Sequence, residues 1–166
     1  MIADNPSQVR NIRDHRSKNW FGGMSPRMES IAEIPDNRPL SDSEASLVGW
    51  LLNHGIANAR DYLPQLDRSR VVSRCYCGCA SINFAVDGVL PLPGVGISIL
   101  ADFEWKGPRG ELFGVFLFER GGVLAALDVW SQDGLADVKS LPSTELLHPI
   151  GTSDLPYENS DEVRCL

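Results

Sequence analysis

Three cysteines at alternate positions in Arg74-Cys75-Tyr76-Cys77-Gly78-Cys79 are the residues of this chain whose type and spacing point most directly to chemistry. Thiolates are nucleophiles, redox partners and soft metal ligands. On an uninterrupted strand, alternate side chains share a face at roughly 6.6 Å intervals, which spreads three sulfurs over about 13 Å. That is too far for one zinc ion, whose Zn–S bonds are about 2.3 Å. Convergence therefore requires a bend, and Gly78 is where one would fall. A fourth ligand would come from His54, His148 or Cys165, and the candidate metal set is Cys75, Cys77, Cys79 and His54. Structural zinc sites usually pair two C-x₂₋₄-C elements, and this sequence has no second pair. Thiol chemistry is the second option, because Arg74 beside Cys75 favours the thiolate, although no C-x-x-C opens a helix. Simple packing outweighs both, since cysteine is small and readily buried. Zinc is the cofactor of the first option; the other two need none.

Carboxylates supply the other chemistry-bearing group. Asp102, Glu104 and Asp128 fall on strands, among Phe113 and Trp130. With two strand spacings between them, Asp102 and Asp128 stand roughly 9–10 Å apart. That is too wide for one directly shared metal ion or for the roughly 5 Å carboxylate pair of a retaining glycosidase. Catalytic templates are missing: there is no G-x-x-x-x-G-K-[ST] and no G-x-S-x-G. Gly94-Val95-Gly96 lies in a Pro-rich loop, without the strand-to-helix setting that cradles a phosphate. His54 sits at a helix end, where an imidazole ordinarily interacts with the helix dipole. No catalytic residue is assigned, and the expectation is a non-enzymatic protein.

The elements that must position these residues are legible in outline. Ser41-Asp42-Ser43-Glu44 has capping-box spacing, and Ala45, Val48, Leu51 and Leu52 follow at helical spacing up to Gly55. A second short helix is expected over residues 58–63, after which Pro64 breaks it or restarts a turn. Strand patterning begins at Val71-Val72 and continues through Ile82, Phe84 and Val86. Three long strands follow near residues 97–106, 111–120 and 123–131, separated by Gly107-Pro108-Arg109-Gly110 and Gly121-Gly122, both good hairpin linkers. One helical turn is expected near residues 144–147.

Hairpin register then sorts side chains into faces. A two-residue turn at Gly121-Gly122 pairs Glu119 with Leu124 and Val115 with Asp128, and a four-residue loop at 107–110 pairs Lys106 with Glu111. One face then carries Ile99, Ala101, Phe103, Trp105, Phe116, Phe118, Ala125, Leu127 and Val129, and needs the helix as cover. The other face reads Glu104–Phe113–Trp130, Asp102–Val115–Asp128 and Leu100–Leu117–Ala126, too apolar for a bare solvated surface.

Composition sets the class. A chain of 166 residues with 43% hydrophobic and 22% charged residues is expected to fold as one domain. The net charge of -7 argues against a nucleic-acid surface over the whole protein. No apolar run approaches the roughly 18 residues of a membrane span. No signal-like segment is seen, so a cytoplasmic location with reduced thiols is expected. Residues 1–27 are net basic and lack a packing period. Residues 1–37 are therefore expected to be a flexible basic arm, the only place where nucleic-acid contact is anticipated, and residues 38–166 a single domain.

Arg38-Pro39-Leu40-Ser41, Glu44, Trp50-Leu51-Leu52, Tyr62-Leu63-Pro64-Gln65-Leu66 and the Cys75/Cys77-Gly78-Cys79 motif resemble a group of small bacterial proteins of unassigned function. The resemblance covers about Arg38 to Leu141, with Cys-Gly-Cys its most specific part. It implies a bacterial origin and carries over no activity, substrate or site.

The fold expected is α+β, with one or two N-terminal helices on a four- to five-stranded antiparallel meander sheet. The leading functional expectation is a protein-binding module using Asp102, Glu104, Phe113, Asp128 and Trp130 against a protein partner or a second copy, for instance an immunity-type protein against a basic toxin. The alternative is a metal-binding or thiol-active protein centred on the cysteines.

Overall fold

The computed structural model describes residues 33–132, 134 and 138–151. Strand β1 (Glu33–Pro39) leads into helix α1 (Asp42–His54), and a 3-10 turn (Ala59–Tyr62) continues into a one-turn helix α2 (Leu63–Leu66). Strands β2 (Ser69–Cys75), β3 (Ile82–Val86), β4 (Ser98–Lys106), β5 (Leu112–Arg120) and β6 (Val123–Ser131) follow, then a 3-10 turn (Thr144–Leu146) and the short β7 (His148–Pro149). The architecture is α+β with an antiparallel sheet, as expected. It has seven strands rather than four or five, in the order β1-β2-β3-β6-β5-β4-β7. The meander β1-β2-β3 and the meander β4-β5-β6, the latter extended by β7 at the β4 edge, are thus joined along β3 and β6, where Ile82 opposes Leu127 and Asn83 opposes Ala126. No helix among the described residues is long and apolar enough to cross a membrane.

The capping box at α1 is formed: Glu44 N–H donates to Ser41 Oγ at 3.3 Å and Ser41 N–H to Glu44 Oε2 at 2.7 Å. Arg38 forks onto the same carboxylate, Nη1 to Oε2 at 2.7 Å and Nη2 to Oε1 at 2.8 Å. Its Nε donates to Asp36 at 2.9 Å, so one guanidinium ties β1 to the start of the helix. The first strand therefore starts ahead of Arg38: Glu33 to Asn37, expected to close the arm, belong to the folded sheet. The remainder of that expected arm lies outside the described residues. Pro64 restarts a helical turn, lying near the first position of α2, where its missing N–H costs nothing.

Leu47, Val48, Leu51 and Leu52 of α1 pack on one face of the sheet, over Val71, Phe84, Leu100, Phe103, Val115, Leu117, Leu124, Leu127 and Val129. Three register details correct the expected faces, one of them a bulge on β4 that leaves Leu100 as the extra residue between Ile99↔Phe118 and Ala101↔Leu117. The β4–β5 connection is one residue longer than assumed, with Gly107 N–H bonded to Glu111 O at 2.8 Å, so Lys106 opposes Leu112. A bulge on β6 leaves Ala125 as the extra residue between Phe118↔Ala126 and Glu119↔Leu124, which moves Val115 opposite Val129. Because strand side chains alternate with a period of two, a one-residue slip exchanges faces. Val115 and Leu117 accordingly enter the helix-covered core and Phe113 packs against it, while Phe116, Phe118 and Ala125 form a cluster of their own. Ile99 is 42% exposed, outside the core expected for it.

Candidate metal centre

Strand β2 ends at Cys75, and the chain reverses there through a turn closed by Gly78 N–H to Cys75 O at 3.2 Å. Gly78 has φ +82°, a conformation that a side chain would strain, so this glycine permits the reversal. Two further backbone bonds hold the loop: Cys75 N–H to Ser81 O at 3.3 Å and Ala80 N–H to Val138 O at 2.8 Å. The bend brings Cys75 Sγ to 3.0 Å from Cys77 Sγ, and all three sulfurs lie within 4.8 Å of one another. Sulfurs sharing a tetrahedral zinc stand roughly 3.8 Å apart, given Zn–S bonds of about 2.3 Å. The Cys75–Cys77 separation is shorter than that value, and no pair exceeds 4.8 Å. Cys77 is exposed, and Cys75 and Cys79 are half-buried.

Hydrogen bonds orient the sulfurs. Cys79 N–H points at Cys77 Sγ at 3.4 Å. Cys79 Sγ lies 3.3 Å from Ser81 Oγ. Ser81 is buried and clamps β6, accepting from Val129 N–H at 3.0 Å and meeting Val129 O at 3.3 Å. Burial pushes the Cys75 thiol up to about 12, reinforced by its hydrogen bond with Cys77. Cys75 is thus a protonated thiol in the metal-free protein, and an ion binding there must displace that proton.

His54 does not join this cluster. Its Nδ1 lies 2.8 Å from Trp50 O, its ring stacks on Trp50 at 4.1 Å, and the sulfur group does not include it. The one-turn spacing from Trp50 to His54 at the end of α1 explains this: the imidazole caps its own helix. His148 stands opposite Glu104 on the far edge of the sheet, five strand spacings from β2, on the order of 20 Å. Cys165 lies outside the described residues.

The acidic-aromatic residues fall on the sheet face away from α1. Rows there read Glu104–Gly114–Trp130, Asp102–Phe116–Asp128 and Ile99–Phe118–Ala126. Four of the five expected binding residues, Asp102, Glu104, Asp128 and Trp130, share this face. Phe113 does not, and instead packs on Trp105 with ring centroids 5.2 Å apart. Its place is taken by Gly114, over which the Trp130 indole lies: a Cβ there would come within 2.3 Å of the ring. Trp130 meets Phe116 edge-on at 5.2 Å, Phe116 stacks on Phe118 at 5.4 Å, and the Arg120 guanidinium lies 5.7 Å over Phe118. Glu104 is buried and accepts from Gln132 Nε2 at 3.1 Å and Gly151 N–H at 3.3 Å. Asp102 differs: its Oδ1 is buried with no hydrogen-bond partner among the described residues. Burial, and then the neighbouring Glu104, raise its carboxyl above the usual aspartate value.

Cys75, at the end of β2, falls by register on the side of the aromatic face, whereas Cys79 and Ala80 pack against the helix-covered core. Glu33 opposes Cys75, Ser73 opposes Asn83, and Asn83 opposes Ala126. Glu33, Ser73, Asn83, Phe118, Arg120 and Ala125 line one cleft. An Asn83–Ser73–Glu33 chain runs along its wall, with Asn83 Nδ2 to Ser73 Oγ at 3.0 Å and Ser73 Oγ to Glu33 Oε2 at 2.6 Å. Sequence reasoning missed Ser81 as the anchor of the cysteine loop and Phe116 as the centre of the face. The first was signalled by the alternation running on from Cys79 to Ser81.

The chain matches no protein-family model, no curated protein and no solved structure.

Proposed function

We propose that this protein is a non-enzymatic binder of a thiophilic metal ion, held by Cys75, Cys77 and Cys79, with zinc as the ion to test first. One observation carries the reading: three sulfurs from a five-residue stretch converge within 4.8 Å around a glycine-permitted turn. Thiolate ligands select zinc and copper(I) over hard cations such as magnesium or calcium. Native mass spectrometry of the reduced chain with added zinc tests it. One zinc per chain that is lost on mild acidification is expected, because acid protonates the thiolates. Cys77→Ser is expected to lose that zinc while keeping its circular dichroism. Unchanged zinc retention by Cys77→Ser contradicts the reading.

A second reading is favoured by the orphaned Asp102 Oδ1 and its setting. Acids among aromatics on one sheet face suit a partner that brings hydrogen-bond donors or positive charge, so a basic protein is the fitting occupant. The face would then serve as the protein-binding surface, in the manner of an immunity-type module. A partner captured by the native chain should be lost on Asp128→Lys or Trp130→Ala with the fold retained. A partner retained by both variants contradicts this reading.

A further inference from the structure

Cys75 and Cys77 occupy the first and third positions of a turn, with sulfurs 3.0 Å apart. Residues two apart on a chain with 3.8 Å steps cannot be separated by more than about 7.6 Å. A turn shortens that distance into the roughly 4.4–6.8 Å window that a disulfide spans, and the S–S bond itself is about 2.05 Å. Closing it here requires the sulfurs to approach by about 1 Å, within a loop whose ends are already fixed by Ser81 and Val138. The three thiols also differ in surroundings. Cys77 is exposed and open to a solution partner, Cys75 lies directly behind it, and Cys79 Sγ is turned to Ser81 Oγ at 3.3 Å.

We infer that Cys75 and Cys77 form a reversible dithiol–disulfide couple that exchanges with small-molecule disulfides, and that its oxidation releases the metal ion. The first clause stands on the thiol geometry alone; the second rests on the metal-binding reading. With oxidised glutathione as co-reactant, the Cys77 thiolate attacks one sulfur of the glutathione disulfide. That S–S bond breaks, one glutathione leaves as thiolate and takes up the proton Cys77 gave, and Cys77 carries a mixed disulfide. Cys75 then gives its proton to solvent and attacks Cys77 Sγ. A Cys75–Cys77 bond forms, the second glutathione leaves as thiolate, and a solvent proton restores it to the thiol. Two protein thiols have lost two electrons, one disulfide has become two thiols, and no net proton is exchanged. Two of the three metal ligands are consumed, leaving Cys79 as a single thiol that cannot hold a thiophilic ion in place.

The experiment equilibrates the full reduced, metal-free chain with oxidised and reduced glutathione, alkylates the remaining thiols and maps the peptides. Expected is a dithiothreitol-reversible loss of two hydrogens, located at Cys75–Cys77, with Cys79 alkylated. Cys75→Ser should stop at a glutathione adduct on Cys77, and Cys79→Ser should still form the bond. A stable glutathione adduct in the native sequence, or a bond that recruits Cys79 or Cys165, overturns the couple. The zinc-loaded chain is oxidised in parallel with a chromophoric chelator present. Release of bound zinc in step with disulfide formation is expected, and zinc retained by the oxidised chain overturns the switch. If the reduced chain takes up no zinc while Cys75–Cys77 still forms, the metal-binding reading fails and the couple stands.

Discussion

Single residues set the chemistry of this molecule through their immediate surroundings. The C-x-C-G-C motif is legible from residue type alone, but its convergence depends on Gly78 adopting φ +82°, which a sequence allows without requiring. His54 fails as a ligand because its own helix offers a nearer partner, the Trp50 carbonyl at 2.8 Å. Asp102 makes a prediction of its own. Its carboxyl is raised above the usual aspartate value by burial and by Glu104, so the folded state holds the proton more tightly than the unfolded chain does. A raised value contributes stability that is present at low pH and is lost as the pH climbs through the folded value. Asp102→Asn keeps the shape and removes that loss. Denaturation midpoints of the two proteins should therefore coincide near pH 3, and the variant should be the more stable at pH 7. A variant less stable at pH 7 would mean that the carboxylate has a partner.

Elements add what residue types cannot. Helix α1 was readable because its capping box, its apolar spacing and its acidic first turn all agree, and consistency of that kind specifies a boundary. Glu44 serves both the cap and Arg38, and the guanidinium holds its carboxyl below the usual range. The sign is opposite to that of Asp102: this contribution is present above the ordinary carboxylate value and is lost as the pH falls through the lowered one. Glu44→Gln should cost about 1 kcal/mol at neutral pH, in the range of a partly exposed ion pair. The deficit should close on acidification in urea titrations. Leu51, fully buried at the centre of the helix face, should cost roughly 2–5 kcal/mol when replaced by alanine. A loss below 1 kcal/mol would place the helix elsewhere than on the core. Strands β3 to β6 were legible to within a residue at their ends, yet their faces were not. One longer loop and one bulge reassigned Phe116 and Phe118, because neither alters the alternating pattern that betrays a strand. Strand β1 escaped notice since Pro35 and Pro39 weaken its strand signature, as suits an edge.

At the scale of the whole molecule, the joint between β3 and β6 matters most. That pairing is long-range, and nothing in local sequence announces it. It lays the start of β3 beside β6, so that Ser81 reaches Val129 and the cysteine loop is seated on the sheet. Ser81 ties the cysteine loop directly to β6 at Val129, and Cys79 packs against the helix-covered core. Metal binding at the loop is therefore expected to be felt at Trp130, two residues along β6 from Asp128 and next to Val129. The most direct measurement is zinc K-edge X-ray absorption on the stoichiometrically loaded full chain. A first shell containing at least three sulfurs at about 2.3 Å is the predicted result. A shell made only of nitrogen and oxygen would contradict the account, because the three sulfurs gathered by Gly78 would then hold nothing.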